Sequence, residues 1–266
     1  MRRFRVQILF TLRWLTLAAS FGLAHSALAL TNITGNLLIE ARRLEDFSKN
    51  FYGQNSNNYV APSGIEWNNF QQLADALLLG DIATAEAFAT PLQYETVRFT
   101  DTNSGVVLLG ARSIETNGAP VHGWGSYFVN TNFTTSALVE APHPQHDIRT
   151  PELAANIFLQ SAARGLLIAG AHRHVNGNGT ADPCDLTNTI FHAVHVSWGG
   201  ANATNTAWQI HGFAIGNHLD FPTNTMAVLS TGQNGTNLMS TNLLILNQEM
   251  ETHGIKAYAF TRNMAS

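Results

Sequence analysis

Cysteine is almost absent from this chain: Cys184 is the single one among 266 residues. One thiol excludes an internal disulfide framework, so stability has to come from an apolar core. Lysine is nearly as scarce, present only as Lys49 and Lys256, and charged residues of all kinds make up 12% of the chain. The formal net charge is −4; with the four arginines of residues 1–29 set aside, ten basic side chains stand against eighteen acidic ones, a net of −8. Such a surface excludes nucleic acid and anionic membrane as partners, because both are bound through basic patches. No Gly-x-Ser-x-Gly elbow occurs, which argues against a serine esterase, and no glycine-rich phosphate-cradling loop occurs either. Internal repeats and long linkers are also missing.

The N-terminus has a distinct composition. Met1-Arg-Arg-Phe-Arg5 is basic, Ile8 to Leu23 is mostly apolar, and Ala27-Leu-Ala29 is a small-x-small cleavage signal. Residues 1–29 therefore read as a secretory signal peptide, cleaved near Ala29, with a secreted or periplasmic destination. Arg13 and His25 interrupt the apolar run and leave it short of a comfortable membrane span. Export without disulfides suits a bacterial envelope or extracellular protein. Residues 30–266 form one domain, and a chain that is 45% hydrophobic has enough apolar surface for one sizeable core.

Helical spacing of apolar residues predicts a helix capped by Asn36 and running to Phe51, a second from about Ile65 to Leu79, and a short third restarted by Asp81. Between Tyr94 and Asn130 the period becomes that of strands, at Thr96 to Phe99, Val106 to Ala111 and Trp124 to Val129. Strand Ala137 to Ala141 is followed by Thr150-Pro151-Glu152, which reads as a helix start with a capping hydroxyl and proline in the first turn. That helix extends to about Gly165, and strand Leu166 to Ala169 completes a βαβ unit. A helix from about Leu186 to Trp198, strand Ala207 to Ile210, and two strands near 226–230 and 257–260 flanking a helix over Thr241 to Thr252 finish the pattern. The expected fold is a three-layer α/β sandwich with a mostly parallel or mixed sheet, N-terminal helices and an antiparallel supplement before residue 131.

Eight of the eleven histidines fall between His143 and His218. Three apolar runs, ending in Glu140-Ala-Pro-His143, Gly170-Ala-His172-Arg173-His174 and Ile210-His211, each read as a buried strand delivering histidine at its C-terminal tip. Open α/β sheets bind ligands at that edge, and imidazoles gathered there with carboxylates point to a divalent metal, one zinc per chain. The best trio is His143, Asp147 and His211. His146 rivals Asp147 for the third place, and His172 and His195 are further alternatives, His195 bordering the apolar stripe of its helix while His192 lies nearly opposite. Pro142 and Pro144 hold His143 on a stiff extended segment. Arg173, forked and always charged, is placed to hold a substrate carboxylate, or else to form a salt bridge within its loop. Cys184 reads poorly as a nucleophile, since the acids flanking it in Asp182-Pro-Cys-Asp185 are expected to raise its pKa.

Pro142-His143 with Asp147 and Thr150, then Gly170-Ala-His172-Arg173-x-x-Asn176, then Ile210-His211-Gly212, resembles the N-formylglutamate amidohydrolase-type hydrolases. These belong to a wider zinc-carboxypeptidase-like group that includes poly-γ-glutamate hydrolases and has a phosphorylase/hydrolase-like fold. The resemblance covers roughly Leu138 to Gly216. It implies that His143, Asp147 and His211 sit at the metal and Arg173 with Asn176 at the substrate. It also implies a metal-dependent hydrolase of amide or peptide bonds in acylated amino acids, γ-glutamyl or cell-wall peptides, acting on a small or peptide substrate that can carry a carboxylate; with the N-terminal segment, a secreted one is expected. The departure is at the ligand signature, His-x-x-Glu in zinc carboxypeptidases, where this chain has His146 followed by Asp147. The competing expectation is a secreted metal- or ligand-binding protein that uses the same histidines without turnover.

Overall fold

A computed structural model describes residues 30–177, 179–200, 206–217, 221–231 and 241–259. The segment assigned to the signal peptide lies outside the described residues, and no described helix is long and apolar enough to cross a membrane. A strand that the sequence pattern did not reveal, β1 (Thr31–Gly35), opens the fold. Helix α1 (Leu37–Phe51) follows at once, its free amides capped by the Asn36 side chain, as expected. Helix α2 (Gly64–Leu79) begins with a reciprocal capping box between Ser63 and Glu66 and stops at Gly80 in the left-handed conformation. Asp81 caps α3 (Ile82–Ala89) through the Thr84 amide.

Three strands, β2 (Tyr94–Asp101), β3 (Val107–Ser113) and β6 (Ser126–Val129), make the antiparallel part, with the small hairpin β4 (Glu115–Thr116) and β5 (Ala119–Pro120) between the last two. Then come β7 (Thr135–Ala141), α4 (Thr150–Gln160), β8 (Ala163–Ile168), α5 (Ile190–Gly199) and β9 (Ala207–Gln209). The C-terminal part comprises β10 (Ala227–Leu229), α6 (Thr241–Thr252) and β11 (Ala257–Ala259); β10 and β11 pair with each other rather than with the main sheet.

Several boundaries differ from expectation for local reasons: α4 ends at Gln160, not near Gly165, because residues from Ala163 onward pair with β7 and β6 as strand β8. The Thr150 hydroxyl does not cap α4; it donates to the Asp147 carbonyl at 2.7 Å, and Arg149 occupies the cap position at φ 68° without a side-chain bond. Helix α5 starts at Ile190, not near Leu186, because Thr189 supplies the cap and residues 182–188 are drawn into a loop at the sheet edge.

The main sheet has seven strands in the order β1-β2-β3-β6-β8-β7-β9. It is mixed: β1/β2, β7/β8 and β7/β9 are parallel, and β2/β3, β3/β6 and β6/β8 antiparallel. Alternation along the strands divides the core in two. Leu167 and Leu138 face Phe70, Leu73, Val194 and Trp198 of α2 and α5, while Leu166, Ile168 and Val139 face Leu37, Ala41, Ala154 and Phe158 of α1 and α4. Helices on both faces give the three-layer sandwich. The buried indole of Trp198 donates to the Ala74 carbonyl at 2.8 Å, so its burial leaves no polar atom unpaired.

One consequence positions the site. After β7 the chain crosses on the α1 side as α4, and after neighbouring β8 it crosses on the other side as α5. The connections leaving these two carboxyl ends start towards opposite faces of the sheet, and ligands usually bind at that point in such sheets.

Candidate metal centre

His143 leaves β7 through Pro142 and turns back at once: the Asp147 amide donates to the His143 carbonyl at 2.9 Å. That single turn brings the Asp147 carboxylate 3.3 Å from His143 Nδ1. Strand β9 arrives beside β7, the Ile210 amide donating to the Glu140 carbonyl, and so carries His211 to the same carboxylate, 3.0 Å from its Nδ1. Asp147 therefore serves both imidazoles and also accepts the Gly212 amide.

The loop after β8 supplies the opposite wall. Asp182 is buried, with Oδ1 2.9 Å from His143 Nε2 and accepting the Cys184 amide at 3.0 Å, while Oδ2 lies 2.5 Å from Arg173 Nη2. Cys184 Sγ lies 3.9 Å from His211 Nε2 and 3.9 Å from Gln209 Oε1. The His143 and His211 rings are 5.0 Å apart between centroids.

Charge follows from these contacts. Burial opposes a positive His143, but the hydrogen bond with Asp147, together with Cys184 and Asp182, outweighs it and pushes the pKa up to about 10. His211 rises to about 9 through Asp147 and Cys184, against burial. Burial pushes the Asp147 carboxyl up, and the two imidazoles pull it well below the carboxylate range. Burial likewise raises the Cys184 thiol, and His143 and His211 bring it below its ordinary value. The expectation that flanking acids raise the Cys184 pKa is thus corrected: Asp182 is turned to His143 and Arg173, and the thiol meets imidazoles instead.

Of the expected ligands, His143, Asp147 and His211 come together. One nitrogen each from His143 and His211 and the Cys184 sulfur lie within 4.8 Å of one another, a group that could hold a metal ion. With Asp147 on both Nδ1 atoms, His211 Nε2 faces the Cys184 sulfur while His143 Nε2 meets Asp182 Oδ1 at 2.9 Å, and the Asp147 carboxylate fixes the orientation of both rings from behind. Cys184 and Asp182 were not among the expected site residues; the Asp-Pro-Cys-Asp run at the end of a glycine-rich turn was the only local signal.

The remaining expected residues sit elsewhere. His146 and His172 form a second group with His174, with ring centroids 5.4 to 6.3 Å apart. His195 belongs to neither: on α5, its Nδ1 lies 2.6 Å from the fully buried Glu140 carboxylate, which also accepts from Gln209 Nε2 at 3.1 Å. Arg173 is engaged by Asp182, with Asp185 at 3.9 Å, so its fork faces its own loop. Asn176 donates to the Tyr59 carbonyl and to Thr180 Oγ1, pinning the loop after β8 to the segment before α2. Compared with models of known protein families, with curated proteins and with solved structures, the chain matches none.

Proposed function

We propose that the protein is a secreted, zinc-dependent hydrolase of amide or peptide bonds, with His143, Cys184 and His211 as the protein ligands and Asp147 as the carboxylate that orients both imidazoles. The observation that carries this is the shared carboxylate: Asp147 Oδ2 at 3.3 Å and 3.0 Å from the two Nδ1 atoms, with Nε2 of His211 facing a thiol at 3.9 Å. Ligands about 2.0 Å (nitrogen) and 2.3 Å (sulfur) from a tetrahedral zinc stand roughly 3.5 Å apart, so the pair needs to close by only a few tenths of an ångström. Two carboxylates and a thiol around two imidazoles are a donor set suited to a divalent cation. When bound, zinc supplies Lewis acidity and a water acidified towards pKa about 7.

The chain's own part is orientation and charge. Asp147 keeps Nδ1 protonated on both rings, and Asp182, held by Arg173 and the Cys184 amide, stands next to His143 Nε2 as a proton acceptor. The resemblance of Leu138 to Gly216 to N-formylglutamate amidohydrolase-type hydrolases points to acylated amino acids, γ-glutamyl chains or cell-wall peptides as substrates. Screening zinc-loaded mature protein against these three classes tests the reading: turnover removed by a chelator and restored by zinc supports it, and turnover indifferent to metal overturns it.

A second reading has its own observation. Cys184 Sγ, His211 and Asp147 stand in the order nucleophile, base and orienting acid. A thiol enzyme of this kind forms a hydroxylamine-sensitive acyl adduct on Cys184, visible by mass spectrometry, whereas the zinc reading predicts none.

A further inference from the structure

We infer that His146, His172 and His174 form an anion-binding cradle beside the metal group, which holds a carboxylate or phosphate oxyanion of the substrate through imidazole N–H donors. As a substrate site it rests on the hydrolase reading; as a binding site it does not. The three rings come from two loops at the carboxyl edge of the sheet, with centroids 5.4, 5.8 and 6.3 Å apart, and His146 is 6.3 Å from His143. Their exposure is graded: His172 is buried, His174 half-buried and His146 exposed, so the group has a floor, a wall and an open side.

The choice of an anion over a second metal follows from the tautomer of His172. The His174 amide donates to His172 Nδ1 at 3.0 Å, so that nitrogen presents a lone pair. The single proton of a neutral imidazole then sits on Nε2, which makes Nε2 a donor. Ligation of a cation through Nε2 would move the proton to Nδ1, against another N–H, and lose the existing bond. Burial, and then the neighbouring His146, His174, His143 and Arg173, keep this ring neutral. Counter-ions point the same way: His143, His195 and His211 each have a carboxylate within ion-pair distance, whereas among the described residues His146, His172 and His174 have none. Arg173, which lies between two of them in sequence, is turned away to Asp182. An Nε2–H donor on buried His172, beside two further imidazoles and with no carboxylate paired to any of the three among the described residues, fits a ligand that brings its own negative oxygens.

The test is NMR on zinc-loaded protein with 15N-labelled histidine rings, titrated separately with succinate and with inorganic phosphate. Expected are a His172 ring protonated at Nε2 and saturable shifts of the His146, His172 and His174 nitrogens. Tighter saturation by succinate assigns a carboxylate-bearing substrate, and tighter saturation by phosphate a phosphorylated one. His172→Ala and, on the exposed rim, His146→Ala should each weaken binding about 10-fold, since a hydrogen bond to a charged group is lost, while His172→Gln, which keeps an N–H near the same place, recovers most of it. Shifts confined to His143 and His211, a His172 ring protonated at Nδ1, unchanged affinity in both alanine variants, or a second zinc equivalent lost in His146→Ala would each overturn the cradle. Anion binding at these rings in a protein with no hydrolytic activity would leave the cradle standing and remove the hydrolase.

Discussion

His143 and His211 are surrounded by acceptors, whereas His146, His172 and His174, a few residues away on the same sheet edge, face one another. In the first group Asp147 and Cys184, joined at His143 by Asp182, draw positive charge in and raise the two imidazole pKa values, to about 10 and about 9. In the second, burial and neighbouring bases push His172 down to about 4. The same residue type thus stands in two opposite electrostatic settings on one sheet edge, and the surrounding oxygens and sulfur decide which.

The contrast breaks most sharply at the ligands. His143→Ala and His211→Ala should each lower zinc affinity by well over about 100-fold, because losing a ligand costs more than the roughly 10- to 100-fold typical of losing its supporting partner. Metal analysis of the two purified variants checks this, and full occupancy in both refutes the centre. Next in size is Asp147→Asn, expected to weaken zinc by about 10- to 100-fold while leaving all three ligands in place. Equilibrium competition with a chromophoric chelator measures it; an unchanged constant would mean that Asp147 does not orient the rings. Cobalt substitution sharpens the comparison further, since a sulfur-to-cobalt charge-transfer band present in the parent and lost in Cys184→Ser identifies the thiolate ligand, and its absence from the parent excludes it.

Much of this frame was legible in the sequence. Cap residues Asn36 and Asp81, the βαβ unit and the helix around Trp198 carry strong local signals, and the structure places elements there. Strand β1 was not legible, because Thr31-Asn-Ile-Thr-Gly35 is short and polar and gains its strand character only by pairing with β2. His143, Asp147 and His211 could be read because each follows an apolar run at a strand tip. Cys184 could not: its neighbours in sequence are acids, while its partners His211 and Gln209 lie 27 and 25 residues away. Arg173 shows the same limit, since its fork is taken by Asp182, nine residues on in a turn whose path no periodicity reports.

The smallest effect concerns pH, and it sets paired against unpaired imidazoles. His195 bonds to buried Glu140, and that bond, together with Glu140's charge and against burial, raises its pKa above 6.5. A folded-state pKa above the unfolded one means that the folded protein binds the extra proton, so this contribution is full below about pH 6.5 and is lost as pH rises through the folded value. His172 has the opposite sign: with a folded pKa of about 4, its contribution is full above about pH 6.5 and is lost as pH falls towards 4. Because the His195 side chain is 35% exposed, solvent screening limits its pair to a few tenths of a kcal/mol up to about 1 kcal/mol. Urea unfolding from pH 4 to 9 should therefore show His195→Gln flattening the alkaline side of the stability profile and His172→Gln flattening the acid side, each relative to the parent. An alkaline side unchanged in His195→Gln would show that Glu140 is satisfied by Gln209 alone, and an acid side unchanged in His172→Gln would show that the second group already holds a compensating negative charge.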